Sequence, residues 1–283
     1  MKRSMDTGPL HNGTPSDGFG ITMEDIVKFE ATVKSSNLDG IRKLYKTINV
    51  PKTITSFANI AVERRELHIF VWLLSEGFHS SAETSTKAFK RVVKEGEIGR
   101  MKQIFRLTTI AKTNTDFTTE ACFKGHLHIL KWLVTNGFGV DTGICTELLD
   151  VKRYQIFQWL WENNIREDHW GAEYFTEPAS DGNIEFFEWA KENDYHWTYD
   201  FTTIIGEDGA YHGHLDLIQW AEANGCPLHW VTCRAAFRGE QYEVLKWLID
   251  RNYHNIEPNY DYDGDDDFTV ELMMVELKKL GKL

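Results

Sequence analysis

Residues Ala121–Phe138, ACFKGHLHILKWLVTNGF, decide how the chain is read. Within them Leu127, Leu130 with Ile129 beside it, Leu133 and Val134 recur at steps of three or four, which marks one face of an α-helix. Gly125 precedes that helix and Asn136-Gly137 follows it, so both ends carry residues suited to tight turns. The pattern Gly-x-Leu-x-x-Leu-x-Trp-Leu, intact or worn, returns along the chain. Its nearest relatives are AVERRELHIFVWLLSEGF from Ala61 and GAYHGHLDLIQWAEANGC from Gly209. With the tryptophan as ruler, equivalent positions are Lys43, Trp72, Gln103, Trp132, Trp159, Trp189, Trp220 and Trp247, spaced 29, 31, 29, 27, 30, 31 and 27 residues apart.

Each copy therefore ends in an amphipathic helix. Before it stand small residues, Thr118, Ala121 and Cys122 in one copy and Thr232, Ala235 and Ala236 in another, which let two helices approach closely and predict a shorter first helix. Gly125, Gly182 and Gly213 belong in the turn between the two helices, where a residue without Cβ accepts positive φ. Glu76-Gly77, Asn136-Gly137 and Asn224-Gly225 end the second helix in the same way. A pair of helices this short cannot bury its apolar face alone, so the copies must stack and the ends must be capped. The tryptophan stripe reads as core, with Phe157, Phe186 and Phe187 in adjacent core positions. In the last copy Gly239 lies eight residues before Trp247 instead of seven, which predicts a distorted turn.

The expected fold is all-α: an α-solenoid of about eight antiparallel helix pairs with short loops. Residues 1–20 read as a flexible polar tail, 21–254 as the repeat array, 255–267 as an acidic loop and 268–283 as a C-terminal capping helix. No apolar run approaches the roughly 20 residues a membrane helix requires, and the first residues hold no apolar stretch of the kind a secretory signal needs. The four cysteines, Cys122, Cys145, Cys226 and Cys233, match neither a zinc ribbon nor a disulfide scaffold, which points to reduced thiols inside a cell. Net charge is −12, unevenly spread: residues 41–112 carry 14 Lys and Arg against 6 Asp and Glu, and residues 113–283 carry 13 against 31. A basic 41–112 region and an acidic C-terminal end offer a route to head-to-tail homo-oligomers.

The string A-x-x-x-G-H-L-x-x-L-K-W-L-x-x-N-G, beginning at Ala121, resembles the ankyrin-repeat family, in the divergent Trp-rich form found in large DNA viruses and protists. The resemblance covers roughly residues 24–254 and is strongest at Ala121–Phe138 and Gly209–Cys226. It implies ankyrin-type helix pairs, a non-catalytic scaffold that binds a protein partner, and an intracellular setting, cytoplasmic or nuclear, in a virus-infected host cell. A substrate-recruiting adaptor for ubiquitin ligation is the alternative the resemblance brings, although no F-box-like segment stands near either end. The chain departs from the family in lacking Thr-Pro-Leu-His in every copy, which predicts a softer array, and its period is shorter than the family's.

Candidate contact residues are those off the regular pattern. His169-Trp170, His196-Trp197 and His229-Trp230 recur in the loops after the ruler tryptophans, and a row of rigid aromatics with polar handles suits a protein interface. Phe123, Lys124, Tyr211, His212, Phe237 and Arg238 stand just before the inter-helix glycines, on the expected exposed turns. The run KAFKRVVKEGEIGRMKQIFR from Lys87 offers cations to phosphates, but the chain as a whole is acidic, which argues against nucleic acid. DYDGDDD at 261–267 fails the EF-hand pattern, with Asp266 where Gly is needed when the loop starts at Asp261. Cys226, His229 and Cys233 have no standard zinc spacing. No nucleotide-binding loop, serine elbow or HExxH is present, so neither a catalytic residue nor a cofactor is assigned.

Overall fold

The computed structural model describes residues 21–166, 174–193, 199–255 and 270–282, and among these helix is the only regular structure. The expected tail at 1–20, the acidic loop from 256 on, and the His169-Trp170 and His196-Trp197 pairs lie outside the described residues. The chain divides into two compact units, Met1–Gly139 and Val140–Leu283.

In the first unit α1 (Met23–Lys34) pairs with α2 (Leu38–Tyr45), α3 (Ser56–Glu63) with α4 (Leu67–Ser75), α5 (Ala82–Glu95) with α6 (Ile98–Leu107), and α7 (Asp116–Phe123) with α8 (Leu127–Thr135). In the second, α9 (Cys145–Asp150) pairs with α10 (Tyr154–Glu162), α11 (Thr176–Ser180) with α12 (Ile184–Glu192), α13 (Tyr199–Tyr211) with α14 (Leu215–Ala223), and α15 (Trp230–Arg238) with α16 (Tyr242–Asp250). First helices stack on first helices within each unit, α1 on α3, α3 on α5 and α5 on α7, then α9 on α11, α11 on α13 and α13 on α15. A final helix, α17 (Val270–Lys279), packs on α15 through Met273 and Leu277, both buried.

One register runs through all the pairs. The residue seven before the ruler position has positive φ in every copy: Ser36, Arg65, Gly96, Gly125, Lys152, Gly182, Gly213 and Glu240. The expected distortion in the last copy is therefore absent. Glu240 takes the left-handed position at φ 58°, while Gly239 one residue earlier keeps φ near −78°. Gly239 is needed for room instead, because a Cβ there would fall on the carbonyl oxygen of Tyr211 in the preceding pair.

The same register locates the core and corrects the reading of the tryptophans. Positions three before, two before and one after the ruler are buried in copy after copy: Ile69, Phe70 and Leu73; Ile129, Leu130 and Leu133; Phe186, Phe187 and Ala190; Val244, Leu245 and Leu248. The ruler residue itself is only half-buried at Trp72, Trp132, Trp159, Trp189, Trp220 and Trp247, and exposed at Lys43 and Gln103. The tryptophans thus close the margin of the core. Indole is large and carries one N–H that wants a partner, so a margin satisfies both needs; Trp189 Nε1, for instance, donates to Glu162 Oε1 at 3.0 Å.

The first unit repeats every 60 residues, in blocks of two pairs. Phe29, Tyr45, Phe57, Trp72 and Phe78 recur as Phe89, Phe105, Phe117, Trp132 and Phe138, with the same ring geometry. Phe29 meets Phe57 edge-on at 5.0 Å, as Phe89 meets Phe117 at 5.0 Å; Tyr45 meets Trp72 edge-on at 5.5 Å, as Phe105 meets Trp132 at 5.1 Å. Even the lysines match, with Lys52 Nζ 6.0 Å from the Tyr45 ring and Lys112 Nζ 5.7 Å from the Phe105 ring. Where the ruler residue is Lys or Gln, an aromatic residue two positions later supports the next tryptophan.

Side chains at the inter-helix turns stitch neighbouring pairs. His126 Nε2 lies 3.1 Å from the carbonyl oxygen of Lys94, and His214 Nε2 lies 2.7 Å from that of Ser180. Each imidazole sits over the turn glycine of the preceding pair: a Cβ on Gly96 would come within 2.8 Å of His126, and one on Gly182 within 2.6 Å of His214. These bonds tie each inter-helix turn to the one before it. Between α9 and α11 the stitch is ionic, with Lys152 paired to Asp181 and Tyr154 Oη donating to Asp181 Oδ2 at 2.6 Å. At the far ends of the second helices, Asn136, Asn163, Asn193 and Asn224 each donate Nδ2 to the carbonyl of the ruler tryptophan four residues earlier, at 2.7, 2.7, 2.9 and 2.8 Å.

Candidate functional site

The predicted contact residues separate once placed. His229 is buried at 5% exposure at the N-cap position of α15, and Trp230 is half-buried with the Arg234 guanidinium carbon 5.5 Å from its ring centroid. Burial holds the His229 imidazole below the ordinary histidine pKa. His229 is thus packed at the start of α15, and Trp230 stands at its margin. Phe123, Lys124, Tyr211, His212, Phe237 and Arg238 do reach the inter-helix turns; Lys124, Tyr211, His212 and Arg238 are exposed, and Phe123 and Phe237 are half-buried.

In the first unit this edge opens into a groove of about 500 Å³ lined by Arg65, Lys87, Lys90, Arg91, Lys94 and Lys124, with Glu95 and Glu120 among them. Lys87, Lys90, Arg91 and Lys94 lie on one face of α5, because i, i+3, i+4 and i+7 align on a helix. Arg65 comes from the α3–α4 turn and Lys124 from the end of α7, so only stacking brings the set together. Arg91 is anchored: its Nη1 donates to the Val62 carbonyl at 2.9 Å, covering the end of α3. Lys90 reaches across to Asp116 at 3.0 Å. Among the described residues Arg65, Lys87, Lys94 and Lys124 make no ion pair.

The basic run seen in the sequence is divided by the fold. Its first half faces this groove, Arg100 pairs with Glu97, and Arg106 lines a separate cleft of about 570 Å³ beside Phe78, His79 and Thr108. Arg65 and Lys124 were not joined to it by sequence, since they are distant in the chain; their neighbouring places in the turn register, seven and eight residues before the ruler position, were the available signal.

In the second unit the matching edge holds a smaller recess of about 160 Å³ between α13 and α15, lined by Glu207, Asp208, Tyr211, Arg234 and Arg238. Burial raises the Glu207 carboxyl, and the facing Arg234 and Arg238 oppose that rise; burial also raises Asp208. Nothing here pairs a nucleophile with a base. Cys226 and Cys233 are buried, and burial pushes each thiol up to about 12, so both stay protonated at neutral pH and are poor nucleophiles or ligands. Among the described residues no group of three His, Cys, Asp or Glu side chains converges as a metal site would require, and no helix is long and apolar enough to cross a membrane.

Stacked antiparallel helix pairs on a common register place the chain in the class of α-solenoid, helical-repeat proteins. No family model matches it, and no curated protein does. Solved structures do match, 64 chains among them. One is the crystal structure of the pentatricopeptide repeat protein PPR10 from maize, 14% identical over 92% of this chain with a TM-score of 0.36. This chain spans 44% of that one.

Proposed function

We propose that the chain is a divergent ankyrin-type scaffold that binds protein through the edge that the inter-helix turns form within each unit. The observation that carries this reading is the turn register itself: in copy after copy it holds side chains outward on a rigid frame, while the histidine and ionic stitches keep neighbouring turns in line. Preorganised residues on a fixed scaffold bind with little ordering cost, which is how a solenoid surface gains affinity without a deep pocket. Lys124 in the first unit and, separately, Tyr211 and Arg238 in the second are the contacts we assign. Proximity crosslinking in cells with the wild-type chain, followed by mass spectrometry, identifies the partner. The variant Lys124→Glu, Tyr211→Ala, Arg238→Ala is expected to lose that partner while keeping its helical signal; a variant that captures it undiminished rules out this edge.

The charge division supports a second reading, self-association. Residues 41–112 carry an excess of 8 positive charges and residues 113–283 an excess of 18 negative ones. Light scattering across a salt series separates the readings, because a charge-driven oligomer dissociates as salt rises and a monomer is indifferent to it.

A further inference from the structure

We infer that the basic groove of the first unit is the receiving site for an acidic, extended peptide segment of a partner protein. The inference rests on the protein-scaffold reading and names the chemistry of its ligand. Lys87 and Lys94 are seven residues apart on α5, a span of about 10 Å, with Arg65 on one flank and Lys124 on the other. At physiological salt charges about 8 Å apart still feel one another, so these cations act as one positive field. Lys90 and Arg91 are held by Asp116 and the Val62 carbonyl and form a fixed floor. Arg65, Lys87, Lys94 and Lys124 make no ion pair among the described residues, which leaves them available.

An extended peptide places every second side chain on one face at about 6.6 Å. Acidic residues alternating with small polar ones therefore meet successive cations along α5. Glu95 and Glu120 also line the groove. They repel an unbroken run of anions but tolerate carboxylates spaced by neutral residues. No aromatic side chain lines the groove for bases to stack on. The groove thus favours a peptide over a single strand of nucleic acid.

The test is fluorescence anisotropy of a labelled octapeptide of alternating Asp and Ser, titrated with the full chain at about 0.15 M salt. Wild type is expected to bind, and Lys87→Glu with Lys94→Glu to weaken binding at least about tenfold. Lys43→Glu with Lys46→Glu changes net charge equally on exposed positions outside the groove and is expected to leave binding within about twofold. Should the reversal variant lose its helical signal, the milder Arg65→Gln with Lys124→Gln carries the comparison, with a loss in the same direction. Equal loss in the groove and control variants overturns the site, as does a wild type that ignores the peptide. An octamer of uridine bound more tightly than the peptide overturns the ligand class. The scaffold reading fails separately, if the wild-type chain captures no protein; a groove variant that still captures the partner refutes the groove alone.

Discussion

At the scale of single residues, the glycines divide into two kinds that look alike in sequence. Gly125, Gly182 and Gly213 have φ of 77°, 65° and 85°, so they relieve the Cβ clash of the left-handed region. Gly239 has ordinary helical φ and is excluded from substitution by the Tyr211 carbonyl. Reading it as a displaced turn glycine placed it correctly and assigned it the wrong reason, because crowding by another helix leaves no trace in local sequence. Gly239→Ala is expected to cost about 1–3 kcal/mol by overpacking. Glu240→Gly next to it should gain about 0.5 kcal/mol, the relieved strain less the added chain entropy. Urea denaturation of the two variants checks both signs.

At the scale of helices, periodicity made the second helix of each pair legible, and small residues foretold the first but not its length, since α1, α5 and α13 are longer than the helices they pair with. What periodicity left ambiguous was depth. The tryptophan sits on the apolar side of the helix but at the edge of the buried stripe, and the presence of Lys43 and Gln103 at its register position was the signal that this place tolerates water. The double period was hidden for a related reason: Tyr45 and Phe105, which alternate with the tryptophans, lie two positions off the ruler. Trp132→Gln should therefore cost about 1–2 kcal/mol, from partial loss of apolar burial. Leu133→Ala, one residue on and fully buried, should cost about 2–5 kcal/mol. Reversed magnitudes in thermal or urea unfolding would return the tryptophan to the core. The proposed contact turns were half legible, since Lys124, Tyr211 and Arg238 follow from the turn register, whereas the groove needed the stacking of α3, α5 and α7 to become visible.

At the scale of the whole chain, stability should depend on pH through the Lys152, Tyr154 and Asp181 cluster. Burial works to raise the Asp181 carboxyl, but hydrogen bonds from Lys152 and Tyr154 outweigh it and hold the group below its ordinary value of 3.8. The contribution is thus present above that value and lost as pH falls through the lower, folded one. Burial and the bond to Asp181 push Tyr154 up from 10.0, so its contribution is present below that pH and fades as pH rises further. Asp181→Asn is expected to cost the second unit about 1–2 kcal/mol at neutral pH and to flatten the acid limb below the ordinary carboxyl value of 3.8. Thermal melts across that range measure it; an unchanged acid limb would assign the acid sensitivity to other carboxylates.

The repetition of one aromatic set at 60-residue intervals means that the first unit has a phase, and lengthening or shortening it is permitted only in even steps. Excising residues 50–109 would bring Phe29 and Tyr45 against Phe117, Trp132 and Phe138, the same neighbours under other numbers, and the shortened chain should fold. Excising half as much would set two supporting aromatics side by side with no tryptophan between them, and the seam should stay open. Duplication and loss within the first unit should leave viable descendants when helix pairs come and go two at a time.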